Sequence, residues 1–149
     1  MAVRKDAVKK QFTEALAGVL EPGEQVQVGT YGPSGPNPFF AAGLFGVIGM
    51  LLFGVRYYYV AVTDRRVVFM KGSFWTARPA GFAWADPRSS VTISDVDTDA
   101  KLWNHLKYTG SSGKSIRMNF HAWWRDETKQ LVAALGSSGQ TAPASPPAS

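Results

Sequence analysis

The chain has 149 residues, 45% hydrophobic and 18% charged, which is enough for one domain with a real core and too few to promise two. It has no cysteine, which excludes a disulfide framework, a thiolate metal site and a thiol nucleophile. Its net charge of +5 favours anionic partners such as acidic lipid headgroups, nucleic acid or acidic proteins.

The start, Met-Ala-Val-Arg-Lys-Asp, puts charges where an export signal needs its apolar region, so no cleaved signal is expected. Residues 3–19 carry Val8, Phe12, Ala15, Leu16 and Val19 at helical spacing, which predicts an amphipathic helix over 1–20. Glu21-Pro22-Gly23 stops it. Residues 25–31 alternate with period two as a first strand, and Gly32-Pro-Ser-Gly-Pro-Asn-Pro38 breaks that strand.

Residues 38–55 follow as one uncharged apolar segment. Residues 1–32 hold four Lys/Arg and four Asp/Glu, 33–55 hold neither, and 56–149 hold twelve against seven, so the basic excess lies wholly after that segment. As a helix, 39–55 would be about 25 Å long, short of a hydrocarbon core of about 30 Å. Gly43, Gly46 and Gly49 recur every third residue and suit either close helix packing or a bend back on itself. A single crossing would separate the first strand from the rest of its sheet, so both flanks are expected on one side. The plain alternative is an apolar loop buried on the domain or between copies.

Residues 57–62 and 66–70 read as a hairpin about the turn Thr63-Asp64-Arg65. Further strands are expected at 81–85, 91–96, 102–109 and 115–121, making seven. Trp124, Thr128, Leu131 and Leu135 predict a helix over 123–135, with Gly136 at its C-terminal cap and a flexible tail over 137–149. Residues 21–136 are thus read as one mainly β domain with flanking helices.

No motif carries catalysis. Gly110-Ser-Ser-Gly-Lys-Ser115 has Tyr108 where a phosphate loop needs glycine and a strand where it needs a helix, so a hairpin turn is expected. His105 and His121 lack partners at metal-ligand spacing, and Asp95, Asp97 and Asp99 lack the rest of a calcium loop. No catalytic residue, metal or cofactor is therefore expected. Nucleic-acid binding ranks low, because no recognised motif accompanies the basic charge.

Leu20-Glu-Pro-Gly-Glu24, the run Tyr57-Tyr-Tyr-Val-Ala-Val-Thr-Asp-Arg-Arg-Val-Val-Phe69 and the helix over 123–135 resemble the bacterial PH-like domains, related in fold to pleckstrin-homology and GRAM domains. The resemblance implies a bent seven-stranded sandwich or barrel capped by the C-terminal helix. It also implies that the loops 32–55, 73–79 and 110–113 share one end, where many relatives meet phospholipid. The expected function is then a non-catalytic membrane module at the inner face of the cell membrane. Phe39, Phe40, Leu44, Phe45, Val47, Ile48, Met50, Leu51, Leu52, Phe53, Phe74 and Trp75 would insert, and Lys71, Arg78, Lys114 and Arg117 would meet anionic headgroups. The basic first loop of inositide-binding relatives is absent. The rival expectation is a soluble interaction or oligomer-assembly domain whose apolar loop packs on a protein partner.

Overall fold

The computed structural model describes residues 2–35, 43, 46, 48, 55–73 and 78–136. Helix α1 (Ala2–Ala17) precedes seven strands, β1 (Val26–Ser34), β2 (Arg56–Thr63), β3 (Arg66–Gly72), β4 (Pro79–Pro87), β5 (Thr92–Asp97), β6 (Trp103–Thr109) and β7 (Ser115–His121). A short 3-10 turn, Ala122–Trp124, leads into helix α2 (Arg125–Leu135). The strands form one antiparallel sheet in the order β4-β3-β2-β1-β7-β6-β5. The mainly β architecture with flanking helices is as the sequence predicts.

The sheet is bent around a core of Val28, Val60, Val62, Val67, Phe69, Val91, Ile93, Leu106, Tyr108, Met118 and Phe120, closed by Leu131 and Leu135 of α2. Residues from both terminal strands of the order, β4 and β5, border this core although no backbone ladder joins them. The remaining faces of β2 and β3 hold a second core, in which Tyr59, Ala61, Val68 and Met70 receive Phe12 and Leu16 of α1. Burial on both sides explains why Tyr57-Tyr-Tyr-Val-Ala-Val and Val67-Val-Phe-Met are unbroken apolar runs rather than alternating ones.

Departures from the expectation include one at β1 and one at the end of α2. β1 runs on through Gly32, Pro33 and Ser34, pairing them with Tyr58, Tyr57 and Arg56. Tertiary contact outweighs the local breaker: at Gly32 a side chain would collide with the Asn119 carbonyl, so glycine lets β1 reach β7 and join the two halves of the sheet. Gly136 occupies the C-cap of α2 but in right-handed helical conformation (φ −63°, ψ −39°), without the left-handed turn usual for a terminal glycine. The tail 137–149 lies outside the described residues.

Candidate functional site

The two connections that sequence reasoning places near a membrane leave one end of the sheet. Ser34 pairs with Arg56, so the chain departs and returns there around residues 35–55. Tyr57 pairs with Gly72, and Ser73 N–H donates to Arg78 O at 2.9 Å, which brings the 73–78 connection to the same end. Beneath lies a ring stack: Tyr31 is 4.4 Å from Tyr59 and 5.5 Å from Tyr57, and Phe12 is 4.8 Å from Tyr59 between centroids. Burial pushes the hydroxyls of Tyr31, Tyr57 and Tyr59 above their ordinary range, so the stack is uncharged.

Around this end the strands carry a belt of cations. Lys107 on β6 faces Arg117 on β7, and Gly35 N–H donates to Arg117 O at 2.9 Å where the apolar segment begins. Arg56 stands where it ends, Lys71 follows on β3, and Arg78 precedes β4. All eleven carboxylate side chains belong to described residues, and none lies within 4 Å of these five cations or of Lys114. Away from the belt, Lys5 and Lys9 meet Glu127, Arg65 meets Glu21, Arg66 meets Glu24 and Lys129 meets Asp99. Lys10 and Lys101 are also unpaired but lie on α1 and in the β5–β6 connection.

Of the expected headgroup residues, Lys71, Arg78 and Lys114 are exposed and Arg117 is half-buried. Nothing local in the sequence marks Arg56 and Lys107 for this role; strand register sets them beside Ser34 and Arg117. Phe39, Phe40, Leu44, Phe45, Val47, Met50, Leu51, Leu52, Phe53, Phe74 and Trp75 lie outside the described residues. Ile48 is described and is 66% exposed. Among the described residues no helix is long and apolar enough to cross a membrane.

The third expected loop is anchored to β4. Residues 110–113 do form a hairpin turn, but the Ser111 backbone N–H and hydroxyl donate to Asp86 Oδ1 at 3.0 and 2.6 Å. Tyr108 and Trp84 donate to Oδ2 at 2.6 and 3.1 Å. Asp86 lies at the far end of β4, roughly 20 Å of extended chain from Pro79. The turn thus closes the seam beside the far end of β4, while Lys107 and Arg117 on the two strands it joins border Gly35, where β1 departs. Burial alone would raise the Asp86 carboxyl, but the bonds from Ser111, Tyr108 and Trp84 outweigh it and hold it below the usual carboxylate range.

Neither histidine gains a catalytic setting. His105 Nε2 is 3.7 Å from Asp95 Oδ2 on the open face of the sheet. His121 packs edge-on between Trp103 and Trp123 and accepts the Trp123 N–H, with burial lowering its pKa. Among the described residues no group of three His, Asp or Glu is placed to hold a metal. An open depression of about 540 Å³ between α1 and the start of β4 is lined by Gln11, Glu14, Ala15, Arg78 and Pro79, with no nucleophile among them.

No family model and no curated protein matches the chain. Among solved structures, the chain is similar to the C-terminal domain of an unknown protein from Leishmania infantum, at 13% identity and a TM-score of 0.44 over 88% of this chain and 96% of that one. That degree of likeness carries nothing about function.

Proposed function

We propose that this protein is a non-catalytic, membrane-associated module with a PH-like fold, in which the apolar segment 38–55 enters the bilayer and the surrounding cations meet anionic headgroups. The observation that carries the reading is the belt of Lys107, Arg117, Arg56, Lys71 and Arg78, uncompensated by any carboxylate and bordering both ends of an uncharged segment. Each such cation is worth on the order of 1 kcal/mol near an anionic surface, before screening by salt. The seven strands and capping C-terminal helix support the PH-like assignment. Phe74 and Trp75, between Lys71 and Arg78, are aromatic residues of the kind that favour the interface.

Co-sedimentation with vesicles tests this. The full chain is expected to bind vesicles containing phosphatidylglycerol and to bind neutral phosphatidylcholine vesicles much less. Leu51→Asp with Leu52→Asp is expected to abolish recovery with vesicles while the thermal transition persists. A wild-type chain that stays in the supernatant with every vesicle, as a defined oligomer or with a protein partner, overturns the membrane reading in favour of an assembly domain.

A further inference from the structure

The outer face of β6 and β7 contains an arrangement that the membrane reading alone does not require. Lys107 and Arg117 are directly paired across the strands, and like charges in that relation destabilise a sheet. Their nearest side-chain neighbours by register, Ser94, His105, Thr109, Ser115 and Asn119, include no carboxylate, and none lies within 4 Å of either cation. Arg117 is also held in place. Its Nε–H donates to Asn119 Oδ1 at 3.1 Å, and Asn119, only 1% exposed, donates from Nδ2 to Gly35 O at 2.9 Å. A guanidinium anchored through Nε keeps its Nη donors for an outside acceptor, and its planar fork fits a phosphate oxygen pair.

We propose that Lys107 and Arg117 form a binding site for a phosphomonoester. Two adjacent cations, one of them held by Asn119, match the charge of a monoester, which approaches −2 near neutral pH, better than the single charge of a phosphodiester. A phosphate seated there removes the repulsion across the strands. Because Asn119 joins Arg117 to Gly35, the site is coupled to the point from which the apolar segment departs. The location next to that segment rests on the membrane reading only for the source of the phosphate, which is a lipid headgroup or a free metabolite.

The test uses the full chain with inorganic phosphate, with glycerol 3-phosphate, and with phosphatidylcholine vesicles carrying either phosphatidic acid or enough phosphatidylglycerol to match its surface charge. Inorganic phosphate is expected to raise the melting temperature and to shift the amide resonances of Lys107, Arg117 and Gly35, with chloride at equal ionic strength as the control. Lys107→Gln is expected to raise the melting temperature without phosphate and to lose the phosphate-dependent rise. Arg117→Lys is expected to weaken phosphate binding at least fivefold while still folding. Tighter binding to phosphatidic acid than to charge-matched phosphatidylglycerol assigns the lipid source; response to glycerol 3-phosphate with no vesicle binding assigns the free source and overturns the membrane reading alone. If phosphate acts no differently from chloride, or if Lys107→Gln and Arg117→Lys respond to it as the wild type does, the site is refuted even where vesicles still bind.

Discussion

Glu24 keeps its charge although its side chain is wholly buried, because donors surround it. Arg66 reaches it through Nε and Nη2 at 2.9 and 3.0 Å, Thr63 through its hydroxyl at 2.6 Å, and the Glu21 N–H at 2.9 Å. The bond from Arg66, first of all, outweighs the effect of burial and lowers its pKa from 4.5 to about 2. Its contribution to stability is therefore complete above about pH 4.5 and is lost as pH falls toward 2. Asp86 and Glu127 are depressed as well, each by donors that overcome burial, so their contributions disappear in acid too. His121, whose pKa burial lowers, adds to the same trend as pH falls below 6.5, because the unfolded chain takes up the proton before the folded one. Urea melts from pH 7 to 2 are expected to show a steady loss of stability, steepest below about pH 4.5, and a flat profile contradicts this. Glu24→Ala is expected to cost about 3 kcal/mol at pH 7, because it strands a part-buried guanidinium. Asn104 shows the opposite case: it is fully buried in β6 with neither side-chain polar atom bonded. Asn104→Leu, similar in shape, is expected to raise stability by about 1 kcal/mol in the same melts.

At the scale of elements, α1 is held by shape and by charge. Phe12 fits over Gly29, where a side chain would overlap its ring, and stacks on Tyr59. Lys5 and Lys9 meet Glu127 at 3.0 and 2.6 Å, and Lys5 lies 5.2 Å from the Trp124 ring centroid, so α1 also ties down the start of α2. Phe12→Ala is expected to cost about 3 kcal/mol. Salt is expected to weaken the Lys5 and Lys9 contacts far less than the vesicle contacts of the exposed belt, since Glu127 is only 8% exposed. Gly32→Ala is expected to cost about 2 kcal/mol or more, because the added carbon meets backbone rather than a movable side chain. Its denaturant midpoint, compared with that of Gly18→Ala, where an added carbon would meet the Ala15 carbonyl at an ordinary 3.6 Å, checks the claim.

Across the whole molecule, the belt is assembled from strands far apart in sequence, since Arg56, Lys71 and Arg78 come from one half of the sheet and Lys107 and Arg117 from the other. Only the β1–β7 junction at Ser34 and Met118 brings the two groups to one end. Replacing residues 39–54 by a short Gly/Ser linker is expected to leave both described cores and the thermal transition intact, since neither core includes a described residue of that segment. Vesicle binding is expected to fall below detection in that variant. Loss of the cooperative transition places the segment in the core instead.

Local pattern by itself determined α1, the seven strands and the buried stripe of α2, because helical spacing marks the helices and period-two alternation or β-rich runs between turn residues mark the strands. Turn residues equally marked the Gly110-Ser-Ser-Gly113 segment as a turn, whereas Lys71, Arg78, Lys114 and Arg117 became candidate contacts only through the resemblance to PH-like domains. The motif residues Glu24, Thr63 and Arg66 were visible as well, but not their bond to one another, 39 and 42 residues apart. Tertiary structure alone decided that Gly32 and Pro33 stay in β1, that Asp86 captures the β6–β7 turn, and that Lys107 faces Arg117. Each of those depends on register between distant strands, and register is an outcome of packing one face of the sheet rather than a property of any segment read alone.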